Sequence, residues 1–516
     1  MLRLDNVKVY ENLSRDEVVA KALKKYRIRF DDVVNAVIIR KSIDARKKND
    51  LHYLYTLAVT VRDERKYPGL PVYKEPEEPQ IRKNRKSEYD PIIIGSGPSG
   101  LFCALTLIEN GYKPVIIEQG NRVEERIEDI RRYRETGVLN THSNVQFGEG
   151  GAGTFSDGKL TTGINSVYIK KVLDTFYRFG APEEITYLAH PHIGTDNLVQ
   201  ILVNIRKYIE EKGGRYYFGT KFTGFREDNG ILTVECGDRE FVTDALVLAI
   251  GHSARDTFEM LCRKNVAMKQ KNFSIGVRIE HLQKDIDAAQ YGENHELDLP
   301  AAEYKLAYHN GERACYSFCM CPGGEVMASS SEDGCIVTNG MSNYARNGRN
   351  ANAGLLVNIL PSDINSDDPL AGVYFQRELE RKAFELGGGN GYAPVQRYED
   401  FKNDTKSDHI GKIVPTYKPG YALSNLREIL PDYVCDSLEE GIEYFNGKIR
   451  GFSDPDAVLT AVESRTSSPV TVIRDEHFNA SVRGIYPCGE GCGYAGGITS
   501  AAVDGIKVAV KIIEND

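Results

Sequence analysis

The chain has 516 residues, 27% of them charged and 41% hydrophobic, with ten cysteines and a formal net charge of −9. That length exceeds one ordinary core, so two or three domains of a soluble globular protein are expected. No run approaches the ~18 apolar residues of a transmembrane helix, the opening M-L-R-L-D-N-V lacks a secretory pattern, and irregularly spaced cysteines read as reduced thiols of a cytoplasmic protein.

Charge is uneven along the chain. Residues 1–90 hold 21 Lys+Arg against 15 Asp+Glu, a balance of +6 that leaves −15 for the rest. A basic start suits an acidic partner or nucleic acid. The signs are mixed and dispersed, which favours an ordinary solvated surface and leaves nucleic acid as the lesser reading.

Residues 1–64 read as a small α/β module. Residues 2–10 are strand-like, Ser14 suits the N-cap of a helix over 17–25, and Asp16 and Glu17 suit its first turn. Residues 33–40 and 51–61 are β-rich. No motif there carries chemistry. Residues 65–88 read as a linker, with Pro68, Pro71, Pro76 and Pro79 among dense charge. The same stretch could instead lie along the next domain.

A nucleotide-binding unit is predicted over 89–265. Ile92, Ile93 and Ile94 form a buried β-branched strand, and Gly95, Gly97 and Gly100 follow at the spacing G-x-G-x-x-G. An amphipathic helix starts at once. A second strand over 113–118 ends on Glu118, 23 residues after Gly95. Each part has a physical role. Gly95 permits the tight turn, Gly97 the close approach of a pyrophosphate, and Gly100 the packing of helix on strand. The free N–H groups and positive end of the helix favour that anion, and the acid suits ribose hydroxyls.

Residues 122–134 read as a charged helix. The stretch F-G-E-G-G-A-G-T-F-S-D-G-K-L-T-T, from Phe147 to Thr162, is rich enough in small residues to lie against a planar ligand. A helix is expected over 195–212, a β-meander over 222–241, and a buried strand over 244–251 that ends in glycine before His252 and Arg255. Residues 266–474 read as a separate α+β domain inserted into the first. Its signs are alternation at Phe273, Ile275, Val277 and Ile279, strand-like stretches at 315–320, 324–330 and 334–339, and a helix over 369–386. The Gly387–Gly391 cluster follows a helix, so it reads as a C-cap and loop. Residues 475–516 return to the first domain: a strand over 484–490 ends at Glu490, a glycine-rich turn follows, and a helix closes the chain over 498–513. The expected fold class is therefore α/β: a Rossmann-like dinucleotide-binding domain, an inserted α+β substrate domain and a small N-terminal α/β module.

G-S-G-P-S-G with Glu118, the strand ending A-I-G-H, and G-I-Y-P-C-G-E with A-G-G-I together resemble FAD-containing flavoproteins related to glutathione reductase. Over the whole chain S-I-D-A-R-K, H-I-G-T-D, G-H-S-A-R-D, F-C-M-C-P-G-G and S-R-T-S-S-P resemble the bacterial uncharacterised FAD-dependent dehydrogenases. The resemblance implies FAD as cofactor. It implies that Glu490 meets the pyrophosphate–ribityl region and that Gly496, Gly497 and Ile498 face the flavin pyrimidine edge. The candidate cofactor-binding set is Gly95, Gly97, Pro98, Ser99, Gly100, Glu118, Gln119, Arg122, Gly150, Gly151, Gly251, Gly489, Glu490, Gly496, Gly497 and Ile498. Disulfide reductases of this kind carry C-x4-C after the second strand; the corresponding loop, 150–159, has no cysteine. A second G-x-G-x-x-G for NAD(P)H is missing in the required context, which leaves direct docking of NAD(P)H over the flavin as the route for a transient donor.

The expected activity is a flavin-dependent oxidoreductase, a dehydrogenase or reductase, moving a hydride between flavin N5 and a small organic substrate. Candidate catalytic residues are His252 as general acid or base, Arg255 and Arg465 as carboxylate clamps, and Lys159 and His192 as polar groups near the flavin. Two other readings are a flavoprotein acting on RNA through the basic N-terminus, and a non-catalytic FAD sensor. Cys315, Cys319, Cys321 and Cys335 do not have metal-site spacing; period two puts the first three on one strand face. No metal is expected, and Cys319 or Cys321 is a candidate redox thiol beside the Pro322-Gly323-Gly324 turn.

Overall fold

Isoleucines buried on both sides announce a covered parallel sheet. In the computed structural model, which describes residues 1–293 and 295–515, the strand Ile92–Ile94 lies at the centre of five parallel strands. Their order is Ile485–Pro487, Leu246–Leu248, Ile92–Ile94, Val115–Ile117, Arg215–Tyr217. Period two sorts the side chains. Ile93, Ile116 and Val247 join the core under the helices Pro98–Glu109, Thr195–Glu211 and Ile498–Glu514. Ile92, Ile94, Leu246 and Leu248 face the meander Gly224–Asp228, Ile231–Cys236, Arg239–Thr243 and the helix Arg255–Arg263. Hence both N-terminal and C-terminal segments of the unit close one sheet.

The intervening chain builds a seven-stranded sheet, ordered Ala307–His309, Ala314–Cys321, Asn350–Ile359, Phe273–Leu282, Val458–Glu463, Ala393–Arg397, Tyr421–Leu423. The helices Ala371–Leu386 and Asp432–Asn446 pack against it. Where the chain leaves and re-enters, Met268–Gln270 pairs with Val470–Val472. No strand is expected from the sequence at Asn350–Ile359, which is central here. Its N-A-N-A-G run lacks the β-branched signature, and pairing on both sides overrides that weak propensity. The strand expected at 334–339 forms instead at Thr338–Met341, after a turn.

The N-terminal module is a three-stranded sheet, Leu2–Val9, His52–Val61, Val33–Asp44, with the helix Arg15–Tyr26. Ser14 caps that helix in a reciprocal box with Glu17. The module's apolar residues share one core with the seven-stranded domain. The proline-rich stretch after it runs as a strap. Pro71 and Tyr73 bond to the first strand and its start, Lys171 meets Glu78, and Asn84 and Arg85 donate to Ile513 of the last helix. No helix among the described residues is long and apolar enough to cross a membrane.

Candidate functional site

A cavity of about 630 Å³ opens between the five-stranded unit and the inserted domain. One wall is main chain. Gly95 has φ +99° and sits so close to Ala249 that a Cβ would fall 2.3 Å from its carbonyl oxygen, so only glycine makes this turn. The helices Pro98–Glu109 and Ile498–Glu514 both begin at this cavity, at Gly97 and Gly497, and neither has a side-chain cap. Two helix N-termini thus offer unpaired N–H groups and partial positive charge to one space.

Glu118 and Glu490 converge on the same cavity. The Glu118 carboxylate accepts from Ser96 N–H (3.0 Å), Ser96 O–H (2.8 Å), Gly120 N–H (3.0 Å) and Gly148 N–H (3.0 Å). It therefore ties the glycine turn to the glycine-rich loop, and a ribose hydroxyl would share oxygens already in use. The loop is further pinned by Arg126, which is fully buried and donates to the carbonyls of Asn144, Val145, Gly148, Glu149 and Gly151. Arg126 is a residue that sequence reasoning missed; it sits inside a charged helix with nothing local to mark it.

The opposite wall is ionic. Glu380 is fully buried and receives both Arg255 (2.6 and 2.8 Å) and Arg465 (3.0 and 2.7 Å). Burial pushes the Glu380 carboxyl up, and the two guanidiniums outweigh it and hold the carboxyl well below its ordinary value. Glu332 joins through Arg255 and Arg377. A polar chain leads from Arg465 through Ser253 to Gln146 and Ser329, joining the two domains across the cavity floor. Arg278 is likewise buried against Glu463 (2.6 and 3.0 Å).

Of the predicted cofactor residues, Gly95, Gly97, Pro98, Ser99, Glu118, Gln119, Gly151, Gly251, Glu490, Gly496, Gly497 and Ile498 line the cavity. Four others act behind it. Gly100 makes room for the Gly95 carbonyl, Gly150 packs on Leu202 and Thr154, and Gly489 lies on Ser99. Arg122 starts the helix Val123–Thr136 and stacks over Phe218. Among the catalytic candidates Lys159, His252 and Arg465 face the cavity. Arg255 does not; it is consumed by Glu380 and Glu332, because a buried guanidinium needs carboxylates more than a ligand does. His192 also lies outside, with Nε2 on the Tyr344 carbonyl (3.0 Å), its ring stacked on Tyr344, and its pKa lowered by burial. The three cysteines expected on one strand face are separated by a bulge between Phe318 and Cys321: Cys319 faces the cavity and Cys315 packs on Gly441. Glu303, 3.2 Å from Lys159, and His190 line the cavity too; neither lies in a motif.

Residues 272–466 match the family described as FAD-dependent protein, C-terminal domain-like; residues 90–126 match an FAD binding domain, and residues 1–60 a domain of unknown function. An uncharacterized protein of Clostridium beijerinckii is 45% identical over 529 residues, covering 99% of this chain and 98% of that one. The chain belongs to this family of FAD-dependent proteins. Among solved structures, glycine oxidase from Geobacillus kaustophilus is similar at 10% identity over 83% of this chain and 95% of its own, with a TM-score of 0.34. A halogenase in complex with FAD is similar at 8% identity over 83% and 70%, with a TM-score of 0.40.

The cavity fits FAD on its own terms. At Gly251, Gly496 and Gly497 a Cβ would meet nothing within 4 Å, and at Gly97 only Gly151 Cα at 3.8 Å. Gly251 and Gly497 take φ +72° and +152°, which alone favours glycine there; at Gly97 and Gly496 neither packing nor a positive φ requires it, and the approach of a large ligand to the backbone does. His252 Nε2 is buried at the same wall without a hydrogen-bond partner, a cost that a bound polar group removes.

Proposed function

We propose that this FAD-dependent oxidoreductase exchanges a hydride between flavin N5 and a small organic substrate bound beside it in the same cavity. The observation that carries the reading is continuity. The glycine wall and the side chains Lys159, Glu303, Cys319 and Arg465 of the other wall line one cavity. Gly97, Ser99 and the start of the helix Pro98–Glu109 would hold the pyrophosphate, and Gly496, Gly497 and Ile498 the flavin pyrimidine edge, as in glutathione-reductase-like flavoproteins. When bound, the flavin supplies two-electron chemistry.

The chain's own residues supply charge and protons. His252 Nδ1 lies 3.4 Å from Glu490 Oε1; a proton held there leaves Nε2 to accept one from a ligand. Lys159 stands between solvent and the cavity, with Glu303 as counter-ion. NAD(P)H is the transient donor in this reading, docking at the flavin rather than on a domain of its own. The ten free cysteines suit a reducing cytoplasm. Arg3, Lys8 and Arg46 of the N-terminal module meet its own Asp5, Asp50 and Asp44, and its apolar residues share a core with the inserted domain, so a protein-packing role fits it better than RNA binding.

The test is anaerobic stopped-flow of the purified yellow protein with NADH and with NADPH, followed by a panel of small acceptors. Bleaching of the flavin bands and reoxidation by one acceptor class are expected. A protein purified without FAD that takes up none defeats the proposal.

A further inference from the structure

The strand Ala314–Cys321 ends in an irregularity with chemical consequences. Cys319 takes φ +42°, a left-handed conformation rare outside glycine, at the bulge. Strain of that kind at a cavity wall invites a functional explanation. The bulge turns Cys319 to the cavity while Cys321 stays fully buried behind it. The Cys321 S–H donates to the Cys319 carbonyl oxygen at 3.2 Å. Arg278 Nη1 donates to that same carbonyl at 3.0 Å.

The charges around the pair point one way. The neighbouring Cys321 thiol first, then Arg278 and Lys159, favour negative charge on Cys319; burial and Asp157 oppose them. The balance brings the Cys319 thiol down to about 7, and Cys321, which keeps its proton, is pushed up. Burial does the reverse elsewhere: alone at Cys315, and as the largest cause at Cys435, it pushes the thiol up to about 12. An accessible thiolate backed by a second thiol is the arrangement thiol–disulfide exchange requires.

We propose that Cys319 and Cys321 are a redox-active dithiol pair opening onto the cofactor cavity, and that the substrate is a small-molecule disulfide. This names the substrate class of the proposed flavoenzyme and rests on FAD occupying the cavity. The Cys319 thiolate attacks one sulfur of R–S–S–R′. A Cys319–S–S–R bond forms, the substrate S–S bond breaks, and R′–S⁻ leaves to take a proton from solvent. Cys321 gives up its proton and attacks the Cys319 sulfur; the 319–321 disulfide forms and R–S⁻ leaves with that proton. The substrate has gained two electrons and two protons, one proton from Cys321 and one from solvent, and the protein has lost two electrons and one proton. The 319–321 disulfide would take two electrons and one proton from anionic reduced FAD, which restores the Cys319 thiolate and the Cys321 thiol, and a hydride from a nicotinamide donor would make up that loss.

Anaerobic dithionite titration of FAD-loaded protein, first oxidised with oxidised glutathione, reads the pair directly. Four electrons per FAD are expected for the native chain and two for Cys319→Ser and for Cys321→Ser. Cys262→Ser, a half-buried thiol on the helix Arg255–Arg263, keeps four. Iodoacetamide labelling without flavin is expected to modify Cys319 with a half-maximal rate near pH 7, and peptide mapping of the oxidised protein to find the 319–321 crosslink. Two electrons per FAD in a yellow native protein without that crosslink overturns the pair and leaves the flavoenzyme standing. A crosslinked protein that binds no FAD removes the flavoenzyme reading and leaves the pair.

Discussion

The two walls of the cavity are made of different material. The wall at Gly97, Gly251, Gly496 and Gly497 is backbone, with two uncapped helix starts supplying its charge. The wall at Arg465, Cys319 and Lys159 is side chain, and its charges are already met by Glu380 and Glu303 or ordered by Arg278. A backbone wall works because something is missing, so one added atom spoils it. An ionic wall works because partners are complete, so one removed atom spoils it. The first offers a fixed cradle to a cofactor that never changes. The second holds reactive groups whose protonation depends on their neighbours.

The largest effect is expected where the ionic wall loses its central acid. Glu380→Gln keeps the shape and removes the charge shared by Arg255 and Arg465. Breaking a buried pair of this kind costs about 3–5 kcal/mol, read as a lower unfolding midpoint in denaturant. The exposed Arg131, paired with Glu128 and Glu135, gives the contrast: Arg131→Ala is expected to cost under about 1 kcal/mol. Equal losses for the two would mean that Glu380 does not join the domains.

Behind the backbone wall sits one charge that is poorly met. Glu149 is fully buried, accepts from Val123 N–H (2.9 Å), and has Arg206 only at 3.4 Å. Burial raises its carboxyl from 4.5 to about 7. Below pH 4.5 both folded and unfolded forms carry the proton. Between there and about pH 7 the folded form binds more protons, so stability falls as pH rises, and above that the loss is constant. Glu149→Gln removes the slope. Relative to the native chain it gains up to about 3 kcal/mol by about pH 8 and nothing at about pH 4. Parallel pH–stability curves for the two proteins would show that Arg206 neutralises Glu149 fully.

The backbone wall was legible in the sequence and the ionic wall was not, for a physical reason. Gly95, Gly97 and Gly100 do their work within one short turn after a β-branched strand, Glu118 directly follows the β-branched run Val115–Ile117, and Glu490 stands three residues past the apolar strand Ile485–Pro487. Arg255 and Arg465 read as clamps because arginine beside a strand end suits a carboxylate ligand. Their carboxylate, Glu380, comes from a helix 125 residues away from Arg255, and no local pattern links them. Arg126 is hidden for the same reason in reverse. It looks like one more surface charge on a helix, and only the folded loop supplies its carbonyls. The strand Asn350–Ile359 is invisible because it opens on small and polar residues, and its place in the sheet comes from both neighbours.

The smallest change is the sharpest probe of the backbone wall, because two glycines of one motif separate folding from binding. At Gly100 a Cβ would lie 2.1 Å from the Gly95 carbonyl oxygen, and backbone cannot give way cheaply. Gly100→Ala is expected to destabilise the fold by about 1–3 kcal/mol and to lose FAD as a consequence. At Gly97 the backbone has φ −72°, which alanine adopts freely, and the nearest atom to a Cβ is 3.8 Å away. Gly97→Ala should therefore leave the unfolding midpoint of the FAD-free protein within about 0.5 kcal/mol. The added methyl enters the space beside the uncapped helix start, so FAD affinity should fall at least about tenfold, or about 1.4 kcal/mol, in fluorescence titration. An unchanged affinity would place the pyrophosphate elsewhere, since a ligand held on those N–H groups cannot ignore a methyl between them.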